Sequence, residues 1–243
     1  MTEPADTILE IDSVVSGYGE LEILHGATLD VRAGEIVALI GSNGAGKTSL
    51  MKTITGLLKV RSGDIRLHGQ SITGASVEAI VRKGISLVPE GRHVFAGMKV
   101  EDNLLLGAYG LSKSERDAKL KETLERFPLL QERAKQDAGS LSGGQQQLLV
   151  VARALMRSPS VLLLDEPSLG LSPLMVETVF EVIASLRQSG VSVLLVEQNV
   201  VAGLELADRA YVIENGAIAR SGIASDLLAD PTLSNSFLGS AAQ

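Results

Sequence analysis

The sequence predicts an α/β fold, a parallel sheet covered by helices on both faces, and three observations carry that expectation. Apolar runs recur at Ile36–Ile40, Ile85–Val88 (broken only by Ser86), Val161–Leu164 and Val193–Val196, each of strand length. Stretches with helical signals separate them, which is the pattern of strand–helix–strand units whose strands are buried on both sides. The first of these runs leads directly into glycine-rich GSNGAGKT and then a helical stretch. Composition agrees: 243 residues, 45% hydrophobic, 21% charged and 3% aromatic, so the core is built from Val, Leu, Ile and Ala.

In chain order, Ile8–Val14 and Thr28–Arg32 read as the first strands, ahead of the run at Ile36–Ile40 and a helix ending near Gly56. A strand with a glycine turn follows at Asp64–Gly69, then a short helix at Ser76–Lys83 before the run at Ile85–Val88. From about Gly91 the character changes to charged helical sequence. Ser112 and Glu115 there have the spacing of a capping box ahead of ERDAKLKETLERF, whose mixed charges describe a solvated face. Leu141–Arg157 is a further helix. Between the runs at Val161–Asp165 and Ser192–Glu197 lies a helix with Ser172 as N-cap, Pro173 in its first turn and Gly190 past its end. Near the C-terminus, Tyr211–Glu214 and Ala217–Arg220 flank Asn215-Gly216, a pair suited to a type I′ hairpin turn. The helical block at 91–158 interrupts the alternation and reads as an inserted subdomain.

Several function classes are disfavoured. A net charge of −7 argues against a free-standing nucleic-acid binder. With no cysteine there is neither a disulfide framework nor a thiolate metal site, which fits an intracellular location. No apolar run approaches membrane-spanning length, and the acidic MTEPADTILEID lacks the basic-then-apolar order of a signal peptide. The expectation is a soluble chain whose membrane role, if any, comes through a partner. His25, His68 and His93 stand alone, without a second ligand at metal spacing.

Two motifs carry chemistry. Gly41, Ser42, Asn43, Gly44, Ala45, Gly46, Lys47 and Thr48 fit G-x-x-x-x-G-K-[ST], with Ser49 next on the helix. Glycines let successive backbone N–H groups curl round a polyphosphate, and the helix N-terminus adds positive potential. Lys47 would reach the β and γ phosphates of ATP, and the Thr48 hydroxyl would ligate Mg²⁺. The apolar run ending in Asp165 and Glu166 supplies the other half, because a buried parallel strand delivers its last carboxylates to the sheet edge where ligands bind. Asp165 would hold the Mg²⁺ shell, and Glu166 would orient and polarise the attacking water.

A third motif, Leu141-Ser142-Gly143-Gly144-Gln145, places a natural N-cap and two glycines at a helix start, a second anion site. At about 20 residues before the acidic strand it resembles the signature sequence of ABC ATPases. The resemblance implies a P-loop NTPase of the ABC ATPase type. Its nucleotide-binding core, with an N-terminal antiparallel β subdomain, would occupy 1–90 and 159–243, and the helical subdomain carrying the signature 91–158. It also implies that Ser142, Gly143, Gly144 and Gln145 of one chain cover the γ-phosphate held by a second ATPase chain. Tyr18 resembles the aromatic that stacks on adenine, and Leu169–Ser172 the D-loop, with Ser172 in place of the usual Asp. Gln198 stands where the family usually has a γ-phosphate-sensing histidine, and Glu90 where it has glutamine; at Glu90 a carboxylate is tolerable facing Mg²⁺ or its water shell.

The strings LVPEGRHVF, DEPSLGLSP, LLVEQNV and ADRAYVIENG resemble the ATPases of branched-chain amino-acid importers, and the likeness runs from Ile8 to about Gly239. Implied partners are a second, related ATPase, two integral-membrane permease subunits and an extracytoplasmic binding protein. The chain would then sit on the cytoplasmic face of the membrane, with the permease's coupling helix held near Glu90–Val100. Alternatives are an importer for another solute such as urea, or a soluble ABC ATPase that moves no solute, for example in iron–sulfur cluster assembly.

Overall fold

Two sheets share the work of positioning the glycine-rich loop. The computed structural model describes residues 6–231; the start of the acidic N-terminal stretch and the far end of the family resemblance near Gly239 lie outside them. The first sheet is antiparallel. It contains β1 (Thr7–Tyr18), β2 (Leu21–Arg32), β4 (Val60–Leu67) and the short β5 (Gln70–Ser71), in the order β2-β1-β4-β5. The second contains β3 (Ile36–Ile40), β6 (Ile85–Val88), β7 (Val161–Asp165), β8 (Ser192–Val196), β9 (Arg209–Glu214) and β10 (Ala217–Ile223), in the order β10-β9-β3-β8-β7-β6. All its pairings are parallel except β9 with β10.

The apolar runs fold as expected because both faces of β3, β7 and β8 are covered. Val37, Leu39, Val161, Leu163, Leu194 and Val196 point into one core, shared with the antiparallel sheet and α1 (Lys47–Ile54). Ile36, Leu162, Leu164, Val193 and Leu195 point into a second, shared with the helices. Those helices are α3 (Val100–Gly107), α4 (Lys113–Arg126), α5 (Pro128–Glu132), α6 (Gly143–Leu155) and α7 (Pro173–Leu186). The helical block is therefore not walled off. Leu148–Ala152 of α6 are buried in the core beneath the sheet.

Local signals hold where chemistry is local. Ser112 and Glu115 form the complete capping box of α4, and Gly190 ends the α7 region in the left-handed conformation at φ 73. Asn215 and Gly216 take φ 47 and 77, the two positive values that a type I′ turn requires. Ser172 sits at the N-cap of α7, yet its hydroxyl makes no capping bond. The antiparallel strands run longer than the sequence suggests, meeting in a tight turn after Tyr18. Register shifts between Ile11 and Val15 and between Ser16 and Gly17 break the period-two signal there.

α2 (Val77–Lys83), α8 (Val200–Leu206) and α9 (Ala224–Ala229) complete the architecture. The two sheets are pinned together by a polar cluster. Arg209 of β9 donates to both oxygens of Asp30 on β2, at 2.9 and 3.1 Å, and to Glu35 at 3.2 Å. The Tyr211 hydroxyl donates to Asp30 at 2.8 Å. These contacts, the Arg209 guanidinium foremost, hold the Asp30 carboxyl below its usual range. Among the described residues no helix is long and apolar enough to cross a membrane.

Candidate functional site

The loop between β3 and α1 turns back on itself through Gly44 and Gly46, at φ 81 and 112, values that would strain any side chain larger than hydrogen. It is braced from below by the β9–β10 turn. The Gly216 N–H donates to the Ala45 carbonyl at 2.8 Å, and the Gly216 carbonyl accepts from the His25 N–H of β2 at 2.9 Å. A side chain at Gly216 would collide with the Ile23 carbonyl. Lys47 is buried inside the loop, its ammonium donating to the carbonyls of Gly41 at 2.8 Å and Ser42 at 3.0 Å. Two of its three hydrogens are thus fixed by the loop it serves.

A cleft of about 430 Å³ opens above this loop, lined by Asn43, Gly44, Gly46, Lys47, Thr48 and Ser49. Glu90, Glu166 and Gln198 line it too, arriving from the ends of β6, β7 and β8. The parallel register explains the convergence. Leu39 and Asp165 both stand beside Val196, so the loop after β3, the carboxylates after β7 and the residues after β8 leave the sheet at one edge. Glu166 takes φ 49 and donates its N–H to the Val196 carbonyl at 2.9 Å, an unusual conformation for a non-glycine residue.

Asp165 is almost wholly buried, with its Oδ1 unpartnered. Burial raises its affinity for a proton, and the charge of Glu90 adds to that; Thr48 and Lys47 oppose it. Burial likewise pushes the Glu166 carboxyl up, with Glu90 and Asp165 adding to it while Lys47 pulls it down. An orphaned carboxylate oxygen next to a threonine hydroxyl, beneath a cleft lined by Glu90 and Glu166, fits a hard divalent cation that keeps most of its own water.

The other expected residues stand outside this cleft. Tyr18 sits at the tip of the β1–β2 hairpin, about half-exposed, with Lys52 Nζ 5.8 Å from its ring centroid. Ser142 caps α6 and forms a full capping box with Gln145, whose side chain is turned back to the Ser142 N–H at 3.0 Å. Gly143 and Gly144 differ in what they serve. Gly144 lets α6 approach α7, since a Cβ there would lie 2.5 Å from Met175 atoms. Gly143 lies under the guanidinium of Arg92, which also donates to the Gly170 carbonyl at 2.6 Å. Leu169 of the following turn reaches the cleft.

Two residues near the cleft carried no assigned role in the sequence reading. Arg92 ties the α6 start to the turn at 169–171, a contact between distant segments with no local signature. Glu197 is buried at the end of β8 and accepts from both the N–H and the hydroxyl of Ser168, at 3.1 and 2.7 Å. Its signal was present: it ends an apolar run as Asp165 does. Burial pushes its carboxyl up to about 6 despite the Ser168 hydrogen bonds.

A second groove lies between the sheet edge and the helical block, about 450 Å³ and bordered by Leu87, Phe95, Leu106, Tyr109, Arg153 and Arg157. Phe95 and Tyr109 are exposed on its rim.

The model of the ABC transporter family matches residues 24–169. The chain is 47% identical over 232 residues to the high-affinity branched-chain amino acid transport ATP-binding protein BraG of Pseudomonas aeruginosa, covering 96% of this chain and 100% of that one. It is 42% identical over 214 residues to the probable branched-chain amino acid transport ATP-binding protein LivF of Archaeoglobus fulgidus, covering 88% and 91%. Among solved structures, an ATP-binding cassette of an ABC transporter in its ADP conformation superposes with a TM-score of 0.87 at 30% identity, covering 97% of this chain and 100% of that one.

Proposed function

The chain belongs to the ABC transporter family of ATP-binding proteins, and from that premise we propose that it hydrolyses Mg-ATP as one half of a two-chain sandwich driving branched-chain amino-acid import. The observation that carries the reading is the convergence of the phosphate loop, Glu90, Glu166 and Gln198 on one cleft, with the orphaned Asp165 oxygen beside Thr48.

The backbone N–H groups of 43–48 and the Lys47 ammonium receive the β and γ phosphates. Thr48, Asp165 and Glu90 would hold magnesium, which would neutralise phosphate charge and polarise the phosphoryl group. Glu166 orients the attacking water and draws on its proton; burial and neighbouring carboxylates make it a stronger base than a free glutamate. Gln198 donates a hydrogen bond towards the γ-phosphate without carrying charge. Tyr18, half-exposed at the tip of the β1–β2 hairpin, offers the adenine ring a stacking surface.

Ser142–Gln145 stand apart from the chain's own cleft, which supports their use on nucleotide held by a second ATPase chain. The aromatic-rimmed groove at Phe95 and Tyr109 suits an amphipathic helix from a permease subunit, adjoining the segment Glu90–Val100. In this assembly two permease subunits span the membrane, the ATPases sit on its cytoplasmic face, and an extracytoplasmic binding protein delivers the amino acid.

The test is Glu166→Gln. It should bind Mg-ATP as wild type does, lose turnover by about 100-fold or more, and accumulate as a closed dimer in size-exclusion with light scattering. Lys47→Ala is the companion: it should lose both turnover and tight binding. A monomer at every ATP concentration, even with the natural partner ATPase added, overturns the sandwich. Turnover of Lys47→Ala within about tenfold of wild type overturns the phosphate loop's role.

A further inference from the structure

We infer that Glu197 is a positioning residue for hydrolysis: it clamps the turn that follows Glu166 to the end of β8, so that the water-orienting carboxylate and Gln198 keep a fixed spacing. The inference rests on the hydrolytic reading of Glu166.

The geometry is specific. Glu197 is 1% exposed and immediately precedes Gln198, a lining residue of the cleft. One of its oxygens accepts the Ser168 N–H at 3.1 Å, the other the Ser168 hydroxyl at 2.7 Å. Ser168 is two residues beyond Glu166, and its own carbonyl accepts the Leu171 N–H at 3.2 Å. On the other side of the turn, the Glu166 carbonyl accepts the Leu169 N–H at 3.2 Å. The clamp thus holds the middle of a two-turn segment whose first residue, Glu166, is already in a sparsely populated backbone conformation. Room for the carboxylate depends on α8, where a Cβ at Gly203 would come within 3.2 Å of the Glu197 Cβ.

The chemistry of the group supports a role beyond packing. Among the described residues no cation pairs with Glu197, and a buried unpaired carboxylate opposes folding. A leucine or methionine would fill the same space without that burden. What a carboxylate alone supplies is acceptance at both oxygens, which receives two donors of a single residue at once. Glutamine has one acceptor oxygen, and its amide would face a donor. The arrangement links two segments that both line the cleft: the Glu166 turn with Leu169, and Gln198.

The experiment uses the full chain carrying Glu197→Gln, Ser168→Ala or Ser168→Thr, together with the double variant, with two readouts. Amide hydrogen exchange should be about tenfold faster in 166–172 for Glu197→Gln and unchanged in β3 and β8. Mg-ATP turnover at saturating nucleotide should fall about tenfold in Glu197→Gln and Ser168→Ala, while the dissociation constant for ADP stays within about twofold. The double variant should be no worse than either single one. Ser168→Thr, which keeps both donors, should turn over as wild type. Unchanged exchange in 166–172 overturns the clamp whether or not the chain is active. Accelerated exchange with wild-type turnover overturns its role in hydrolysis. Parallel loss of ADP binding and of protection in β3 would make Glu197 a folding residue only, and also overturns the inference. A wild-type chain without Mg-dependent turnover, alone or with its partner ATPase, instead sinks the hydrolytic reading, and the exchange result still decides the clamp.

Discussion

Glu166 and Glu197 follow neighbouring strands of one sheet, and only the first drew a functional expectation from sequence. Glu166 follows an apolar run and an aspartate, a pattern that gains meaning from the distant glycine-rich loop. Glu197 ends an equally apolar run, but its partner Ser168 is joined to it only by the β7–β8 pairing. No spacing rule reports a contact made by a fold. Arg92 escaped for the same reason, since its targets Gly143 and Gly170 come from separate segments. Buried charge leaves a measurable trace. The Glu197 carboxyl rises from its ordinary 4.5 to about 6, so the folded chain holds that proton more tightly than the unfolded one. The stabilisation linked to it is complete below the unfolded value and lost as pH climbs through about 6. Between pH 4.5 and pH 7.5, wild type should lose about 2 kcal/mol of stability relative to Glu197→Gln. Denaturant unfolding of both proteins across that range checks it, and parallel curves would mean the carboxyl is not perturbed.

At the level of elements, the buried strands and well-capped helices were readable because burial and capping are written into adjacent residues. The β1–β2 hairpin was read too short, since its bulges place polar residues out of phase and shift the register at Val14 and Ser16. The short α8 and α9 carry too few turns for a periodic signal. The join between the sheets was also hidden. It depends on Asp30, Glu35, Arg209 and Tyr211, separated in sequence and partly buried together. Arg209→Ala leaves Asp30 and Glu35 without the guanidinium they share, and should cost about 2–3 kcal/mol. The melting temperature should then drop by about 4–10 °C, read by calorimetry. Since the cluster stands away from the cleft, ADP affinity below that transition should change less than about threefold. A larger loss would mean that the sheets align the phosphate loop through this cluster.

For the whole molecule, the helix start at Ser142–Gln145 stands outside the cleft that the phosphate loop lines. Glu90 and Glu166 line the cleft with negative charge and Asp165 lies buried beside them, against Lys47 as the cation lining it. Gln198 adds a donor without charge. A chain so arranged should hydrolyse slowly alone and faster once its partner ATPase supplies donors from a second helix start. We expect turnover of the isolated chain at least about tenfold below that of the assembled transporter, with Gln198→His raising the isolated rate. An isolated chain as fast as the full complex would refute this. The expectation of a second chain came only from family resemblance, because no motif within one sequence states that two chains must meet.

The brace beneath the phosphate loop also bears on how the protein ages. An Asn-Gly step is chemically fragile: the glycine nitrogen can attack the preceding side-chain amide, closing a five-membered imide and releasing ammonia. At Asn215-Gly216 that nitrogen is committed to the Ala45 carbonyl at 2.8 Å, within a turn whose dihedral angles are fixed by the strands on either side. While the loop and the turn stay bonded, the attack is suppressed. Deamidation at Asn215 should therefore be slow in the folded chain and faster when that brace is released, and hydrolysis of the imide by water would leave a new carboxylate beside the glycine that supports the phosphate loop.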